Sequence, residues 1–148
     1  MTSISLDSYD HAILSALIAD STKTSAQLSQ LVNLSASQCA RRKAKLEEIG
    51  IISGYGARTS HEALGYTLRA ITRVNLTEHN EDIANKFARF LKTTPEIEAA
   101  WSVSGDADYV LNVLTRDLKS FAEFIHKRLL PQPNVTQVKS EIVLLTLK

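Results

Sequence analysis

Four cations stand within five residues in the first third of the chain: Arg41, Arg42, Lys43 and Lys45. If this stretch is helical, 100° per residue places hydroxyl, amide and cationic side chains along one side. Such a side suits a DNA major groove, because cations contact phosphates while Gln and Arg reach base edges. A solvated basic face is the alternative for an isolated run of cations. The candidate DNA-binding residues are Ser35, Ser37, Gln38, Arg41, Arg42 and Lys45.

Capping signals predict three short helices around this stretch. Asp7, Thr24 and Ser35 each precede a helical pattern of apolar residues. Gln27 and Gln38 follow Thr24 and Ser35 by three residues, which is the spacing of a capping box. The last two helices are separated only by a tight turn, which is typical of a tri-helical helix-turn-helix.

The same pattern predicts how this region packs and where it ends. On the second helix we expect Leu28, Leu31 and Val32 to face inward. Gly50 is suited to end the third helix. Residues 51–58 could then form a strand and wing, so the sequence predicts a winged helix-turn-helix domain over residues 1–58.

Composition limits the range of functions. The chain has 148 residues, 44% hydrophobic content, one cysteine and a net charge of +1. A single cysteine excludes an internal disulfide framework and suits the cytoplasm. No apolar run is long enough to span a membrane, and the N-terminus lacks the pattern of a signal peptide. Because the net charge is small, DNA binding must depend on local clustering and on a dimer or larger assembly.

The hydrophobic period changes after a polar linker predicted at residues 59–66. From Leu68 to Leu76 apolar and polar residues alternate, which indicates a half-buried strand. The later patterns complete a β-α-β-β-α-β order over residues 67–148, whose last strand runs from Val135 to Leu147. The predicted fold class is therefore α+β: the helix-turn-helix domain followed by a ferredoxin-like domain with an antiparallel sheet. Both sides of the last strand are apolar, which indicates a homodimer interface.

A second polar stretch precedes the third predicted strand. It comprises Ser104, Gly105, Asp106, Ala107, Asp108 and Tyr109. Glycine and aspartate are turn formers, so a hairpin turn explains most of this stretch. It also has the groups to hold a free amino acid, because backbone N–H groups near a glycine can bind a carboxylate and an aspartate can bind an ammonium.

The N-terminal residues resemble those of the leucine-responsive regulator/AsnC family of bacterial and archaeal transcription regulators. The resemblance covers residues 6–56 and rests on Leu34-Ser35, Cys39, Arg41-Arg42, Leu46-Glu47, Gly50-Ile51-Ile52 and Gly54-Tyr55. Lys43 departs from it where the family usually has an aliphatic residue, and Ala40 where the family often has a larger one. The resemblance implies a sequence-specific regulator of double-stranded DNA. It also implies dimers that assemble further, to tetramers or octamers.

The resemblance also gives the ferredoxin-like domain a role in effector binding and oligomerisation. In the family, a glycine-acidic-aromatic-acidic loop lines a site between dimers where an amino acid binds, and the turn at residues 104–109 matches it. Ala107 replaces the usual aromatic residue. On the last strand, Val138 and Ser140 align with two family hydroxyl positions, so only one hydroxyl remains. Ser140 and Glu141 complete the candidate effector residues, although a solvated strand face also explains them.

Two other functions compete with DNA-binding regulation. Sirohaem decarboxylases resemble the family over both domains, and Arg69, Arg73 and Lys139 could hold tetrapyrrole carboxylates. No histidine lies on these predicted strands, and such an enzyme has no use for the basic helix. The third possibility is an oligomeric ligand-binding module without DNA contact. The sequence indicates no catalytic residues, no metal site and no cofactor, since the four histidines lack metal-ligand spacing.

Overall fold

The computed structural model describes residues 5–77 and 80–147. The chain divides between Arg58 and Thr59 into two compact units. The first unit is helical and the second contains the sheet. Each unit is described by itself below.

Three helices form the first unit: α1 (Ser8–Ala19), α2 (Ser25–Val32) and α3 (Ala36–Glu48). Each begins with a complete capping box, in which the cap side chain accepts the third backbone N–H and the third side chain accepts the cap N–H. Asn33 ends α2 in the left-handed conformation, with φ of 54°, so the chain turns at once into α3. The predicted helix-turn-helix region is confirmed.

A small apolar core joins these helices. Ile13, Leu28 and Cys39 are fully buried, and Leu46 is nearly so. The prediction for Leu31 was wrong, because its side chain is 61% exposed. An eight-residue helix presents a narrow contact face, and Leu28 and Val32, four residues apart, occupy it.

Residues 51–58 form no strand, so the predicted wing is not formed within this chain. A strand requires a partner backbone that supplies alternating donors and acceptors. Ile52 N donates instead to Leu46 O, which returns the chain against the end of α3. Gly54 and Gly56 further weaken the strand preference of this segment.

The second unit follows the predicted order. Its elements are β1 (Leu68–Leu76), α4 (Glu81–Thr93), β2 (Ile97–Ser102), β3 (Tyr109–Thr115), α5 (Leu118–Phe124) and β4 (Val135–Ile142). A π-helical turn, Ile125–Leu129, continues α5. The strands pair antiparallel in the order β2-β3-β1-β4, which confirms the β-α-β-β-α-β arrangement.

Alternation along β1 separates the two faces of this sheet. Ala70, Thr72 and Val74 are fully buried on the face that packs against α4 and α5. Arg73 and Asn75 lie on the opposite face, which we call the open face.

The last strand is shorter than predicted, since β4 ends at Ile142 instead of Leu147. Ile142 pairs with Ala70, and the next backbone bond, from Val143 N to Arg69 O, lies one residue from the start of β1. Because β1 begins at Leu68, this strand has almost no residues left to pair with the chain beyond Val143. Leu144 and Leu147 therefore extend from the sheet with 94% and 89% of their surfaces exposed.

Candidate nucleic-acid interface and effector cleft

Helix α3 presents most of the predicted DNA-binding residues on its surface. Ser37, Arg41 and Lys45 are exposed. Within residues 5–77 and 80–147, neither Arg41 nor Lys45 forms an ion pair with a carboxylate. Both cations are therefore available for a negatively charged partner such as a phosphate.

The two residues that begin α3 have a structural function as well. Ser35 Oγ accepts a hydrogen bond from Gln38 N at 3.2 Å, while Ser35 N donates to Gln38 Oε1 at 2.9 Å. The capping box therefore uses the side-chain oxygen, Oε1, of Gln38. The side chain of Gln38 is exposed, and its Nε2 amide group remains a hydrogen-bond donor at the N-terminal end of the helix.

Arg42 has a different environment from the one predicted. Its guanidinium contacts Asp10 Oδ1 at 2.7 Å and Asp7 Oδ2 at 2.8 Å, and it lies 5.5 Å from the ring centroid of Tyr9. The hydrogen bond from Asp10 N, assisted by Arg42, lowers the pKa of Asp7. The two carboxylates raise the pKa of Arg42. Arg42 therefore links α3 to the beginning of α1 through two ion pairs.

Lys43 also has a partner that the sequence did not indicate. Its Nζ lies 4.9 Å from the ring centroid of Tyr55, and Tyr55 Oη donates to Glu47 Oε1 at 2.5 Å. Partial removal of the phenol from water, with the nearby Glu47 carboxylate, raises the pKa of Tyr55 to about 12. These contacts hold the segment after α3 against the helix.

In the second unit, the side chain of Asn75 on β1 forms hydrogen bonds with the turn that precedes β3. Asn75 Oδ1 accepts from Asp108 N at 3.0 Å, and Asn75 Nδ2 donates to Asp106 O at 3.0 Å. Asp108 Oδ2 accepts from Leu76 N at 2.8 Å. Gly105 has φ of +132°, which L-residues rarely adopt. The turn is thus fixed at one end of the open face.

The structure separates the predicted effector residues into two groups. The Tyr109 ring packs edge-on against Phe87 at 5.0 Å on the helix side of the sheet. Ser140 Oγ lies 3.0 Å from the buried Thr72 Oγ1, also on that side. Ser104 is exposed on the turn.

The second group comes together on the open face in a cleft of about 230 Å³. We call it the β1–β4 cleft. Its lining residues are Arg73, Asn75, Asp106, Ala107, Gln137, Lys139 and Glu141. Three of these were predicted, namely Asp106, Ala107 and Glu141. The other four come from β1 and β4, where Asn75 is paired with Gln137 and Arg73 with Lys139. Arg73 and Lys139 were considered only as possible ligands of tetrapyrrole carboxylates, and Asn75 and Gln137 were not identified from the sequence.

A further polar cluster lies at the other end of the open face. His61 Nε2 is 2.7 Å from Glu98 Oε1, and His61 Nδ1 is 3.0 Å from an Arg69 nitrogen. Asn112 Nδ2 donates to Glu98 Oε2 at 2.7 Å. Asn112 Oδ1 is buried and has no hydrogen-bond partner among the described residues. The sequence indicated only that the four histidines lack metal-ligand spacing, and it did not predict this cluster.

Metal-binding clusters and membrane-spanning helices were sought among the described residues. Within residues 5–77 and 80–147, no group of three or more His, Cys, Asp or Glu side chains is arranged to hold a metal ion. Over the same residues, no helix is both long enough and apolar enough to cross a bilayer.

Comparison with known proteins assigns both units. Residues 6–47 match the AsnC-type helix-turn-helix domain, and residues 69–148 match the Lrp/AsnC ligand-binding domain. The chain belongs to the Lrp/AsnC family. The family resemblance predicted from the sequence is therefore confirmed. This Lrp/AsnC protein is a DNA-binding transcriptional regulator with a helix-turn-helix domain and a ligand-binding domain.

Several relatives match this Lrp/AsnC regulator over nearly its whole length. The leucine-responsive regulatory protein of Rhizobium meliloti (strain 1021) is 35% identical, over 98% of this chain and 93% of that protein. The Bkd operon transcriptional regulator of Pseudomonas aeruginosa is 33% identical, over 94% and 91%. A transcriptional regulator of Neisseria meningitidis, solved as a complex with L-methionine, has a TM-score of 0.93 at 33% identity, with 97% and 93% covered.

Proposed function

We propose that this regulator binds operator DNA through the exposed side of α3, with Arg41 and Lys45 on phosphates or bases and Ser37 and Gln38 near base edges. The observation that carries this assignment is that Arg41 and Lys45 are exposed and form no ion pair with any described carboxylate. Arg42 is reassigned to positioning α3, because two carboxylates already hold its guanidinium. Ser35 acts mainly as the cap that orients the helix start.

The functional form is a homodimer, which assembles further to tetramers or octamers. Trp101, 51% exposed on β2, and the apolar residues after β4 are left without cover by the chain. A second copy on the open face would cover these apolar groups, in an interface of about 2,000 Å² or more. Two recognition helices per dimer also offset the weak net charge of the protomer.

The effector is a free amino acid that binds beside the turn at residues 104–108. Two structural neighbours support this class, since the Neisseria meningitidis regulator and a feast or famine regulatory protein from M. tuberculosis are both complexes with L-methionine. The β1–β4 cleft offers both charge signs that an amino acid needs. Bound effector would change how dimers pack, and so how many α3 helices reach DNA in phase.

We favour regulation over enzymatic activity. The relatives named above are regulators, and the exposed cations of α3 have no role in tetrapyrrole decarboxylation. A DNA-binding role also implies a location with the chromosome, in the cytoplasm.

Salt-dependent DNA binding tests the assignment of α3. A duplex selected from genomic fragments would be titrated with wild-type protein, Arg41→Ala, Arg42→Ala and the control Lys86→Ala. Lys86 is an exposed cation on α4, so its removal matches the charge change. We expect Arg41→Ala to lower the salt slope by about one unit for each phosphate that it no longer neutralises. Lys86→Ala should leave the slope unchanged.

Arg42→Ala distinguishes contact from positioning. It should lower the melting temperature while the salt slope of the folded protein stays close to wild type. Arg41→Ala with wild-type affinity and slope would refute the proposed face of α3. A reduced slope in Arg42→Ala at unchanged stability would restore Arg42 as a DNA-binding residue.

A further inference from the structure

The hydrogen bonds at the start of α3 fix the orientation of the Gln38 amide. Ser35 N donates to Gln38 Oε1 at 2.9 Å, and a backbone N–H can only donate, so the acceptor must be the amide oxygen. Ser35 Oγ also donates to Gln38 Oε1, at 3.0 Å. Because an amide oxygen has two lone pairs, both are used by Ser35. Gln38 therefore has no acceptor left for another molecule, and only the two hydrogens of Nε2 remain.

Ser37 completes this network on its other side. Ser35 Oγ accepts from Gln38 N at 3.2 Å and gives its one hydrogen to Gln38 Oε1. The 3.0 Å contact between Ser37 Oγ and Ser35 Oγ must then take its hydrogen from Ser37. Every donor and acceptor of the Ser35 hydroxyl is thus used. Rotating the Gln38 amide by 180° would place its Nε2 donors against Ser35 N and would cost the cap two hydrogen bonds.

Gln38 lies where a recognition helix reads bases. It is exposed in the first turn of α3, and the N-terminal residues of the second helix of a helix-turn-helix contact base edges. An unrestrained glutamine usually reads adenine with both ends of its amide, since the oxygen accepts from N6 and the nitrogen donates to N7. The capping box removes the first of these two contacts. Gln38 therefore requires a base that offers acceptors only.

Guanine fits this requirement best. In the major groove it presents two neighbouring acceptors, N7 and O6, and no donor, whereas thymine has one acceptor beside a methyl group and cytosine has a donor. We propose that Gln38 reads guanine through Nε2, and that the capping box sets this specificity by holding Oε1. This inference rests on the proposed function, since it specifies which base the exposed side of α3 recognises.

Gln38→Glu removes the donors and keeps the cap. A glutamate oxygen can accept from Ser35 N as the glutamine oxygen does, and glutamate is a usual partner in a capping box. Gln27→Glu is the matched control, because Gln27 has the same position in the capping box of α2. Its Oε1 accepts from Thr24 N at 2.8 Å and from Thr24 Oγ1 at 3.2 Å. Both variants should melt close to wild type.

Base analogues identify the contact. Each guanine of the operator duplex would be replaced in turn by 7-deazaguanine, which pairs with cytosine and lacks the N7 acceptor, and binding of the full chain would be titrated. We expect wild type to bind roughly fivefold more weakly when one particular guanine is replaced, because one of two acceptors is lost. Gln38→Glu should lose this sensitivity, whereas Gln27→Glu and Arg41→Ala should keep it. Gln38→Ala, which adds no charge, repeats the comparison if glutamate abolishes binding.

The possible outcomes separate the base assignment from the proposed function. A Gln38 variant with wild-type sensitivity at every guanine would overturn the inference and leave Gln38 as a cap alone. Loss of sensitivity at an adenine, tested with 7-deazaadenine, would show that Oε1 leaves the cap and would also overturn it. Neither result affects the salt slope of Arg41→Ala, which tests the DNA-binding face. A wild-type protein that binds no duplex would overturn both the inference and the proposed function.

Discussion

The two candidate sites of this regulator are assembled in opposite ways. The side chains proposed to face DNA lie within residues 35–45 and are arranged by α3 and its N-cap. The β1–β4 cleft collects side chains from positions as far apart as Arg73 and Glu141, through strand pairing and one anchored turn. The first site depends on local hydrogen bonds, and the second depends on long-range contacts. Different perturbations should therefore disrupt them.

Structural and functional roles are also divided differently in the two sites. On α3, Ser35 and Gln38 are capping residues that stand beside the exposed DNA-facing groups. In the second unit the positioning residue, Asn75, stands 31 residues from Asp106, whose backbone it holds. One substitution should therefore damage the recognition helix only locally. A substitution at Asn75 should alter two strands and a turn together.

The largest effect is expected after β4, where the proposed homodimer would cover apolar residues that the chain leaves exposed. Leu145 is 73% exposed, so Leu145→Asp should leave the protomer folded. If a partner covers this residue, the buried aspartate would be unpaired and cost several kcal/mol, about 2–7 for an uncompensated polar group and more for a charge. Light scattering should then show the mass of the assembly falling. Leu118→Asp is the matched control, because Leu118 is 60% exposed at the start of α5 and the change of residue and charge is the same.

A Leu145→Asp protein with wild-type mass would remove the C-terminal segment from the proposed interface. A monomeric wild type at micromolar concentration would overturn the proposed dimer as a whole.

A smaller effect is expected from Asn75→Ala. It removes the side-chain partners of Asp108 N, Asp106 O and Gln137 Oε1. A typical intramolecular hydrogen bond contributes ~0.5–1.5 kcal/mol to stability, so urea unfolding of the second unit should shift to lower concentration. Amino-acid binding should weaken as well. Asn85→Ala, at an exposed amide on α4, is the control and should change neither property.

If Asn75→Ala kept wild-type amino-acid affinity, the turn would not be positioned by β1. The contrast between a locally built and a remotely built site would then fail.

Ser35→Ala tests the site that is built by local hydrogen bonds, the proposed DNA-binding surface of α3. Loss of the N-cap should cost ~1 kcal/mol of helix stability. Because the cap precedes the DNA-facing residues of α3, DNA affinity should fall, while amino-acid binding measured by calorimetry should not change. Ser29→Ala is a suitable control, since this serine lies inside α2 and donates only to Ala26 O. A Ser35→Ala protein with wild-type stability and affinity would contradict the capping role.

The smallest effect concerns pH and the first unit. Hydrogen bonds from Thr22 and from Lys23 lower the pKa of Asp20 from 3.8 to about 2. Since the folded-state pKa lies below the unfolded one, this stabilisation is complete above the unfolded value. It is lost as the pH falls from about 4 toward 2. Thermal unfolding over this pH range should show a shallower decline for Asp20→Asn than for wild type. Equal declines in the two proteins would show that Asp20 contributes nothing to the loss of stability at low pH.

Particular residues show how far sequence reasoning reached. Ser35 and Gln38 were predicted to cap α3 from their types and spacing, and both do. Helical periodicity predicted that Leu28 and Val32 face inward, and both are buried. Arg42 looked equivalent to Arg41, because a run of cations gives no indication that Asp7 and Asp10 lie nearby. In the second unit, Asp106 and Glu141 were identified without the partners that make a cleft of them.

By itself, the sequence determined the elements whose signals are local: the capped helices, the alternating strands, their order and the family. These depend on backbone hydrogen bonds and side-chain periods within about ten residues. Only the tertiary structure decided where β4 ends, that residues 51–58 lack a strand partner, and that Arg42 binds carboxylates. It also decided which polar side chains share the β1–β4 cleft. Each of these depends on atoms far apart in the chain, whose encounter is set by packing and strand register and by no short pattern of residues.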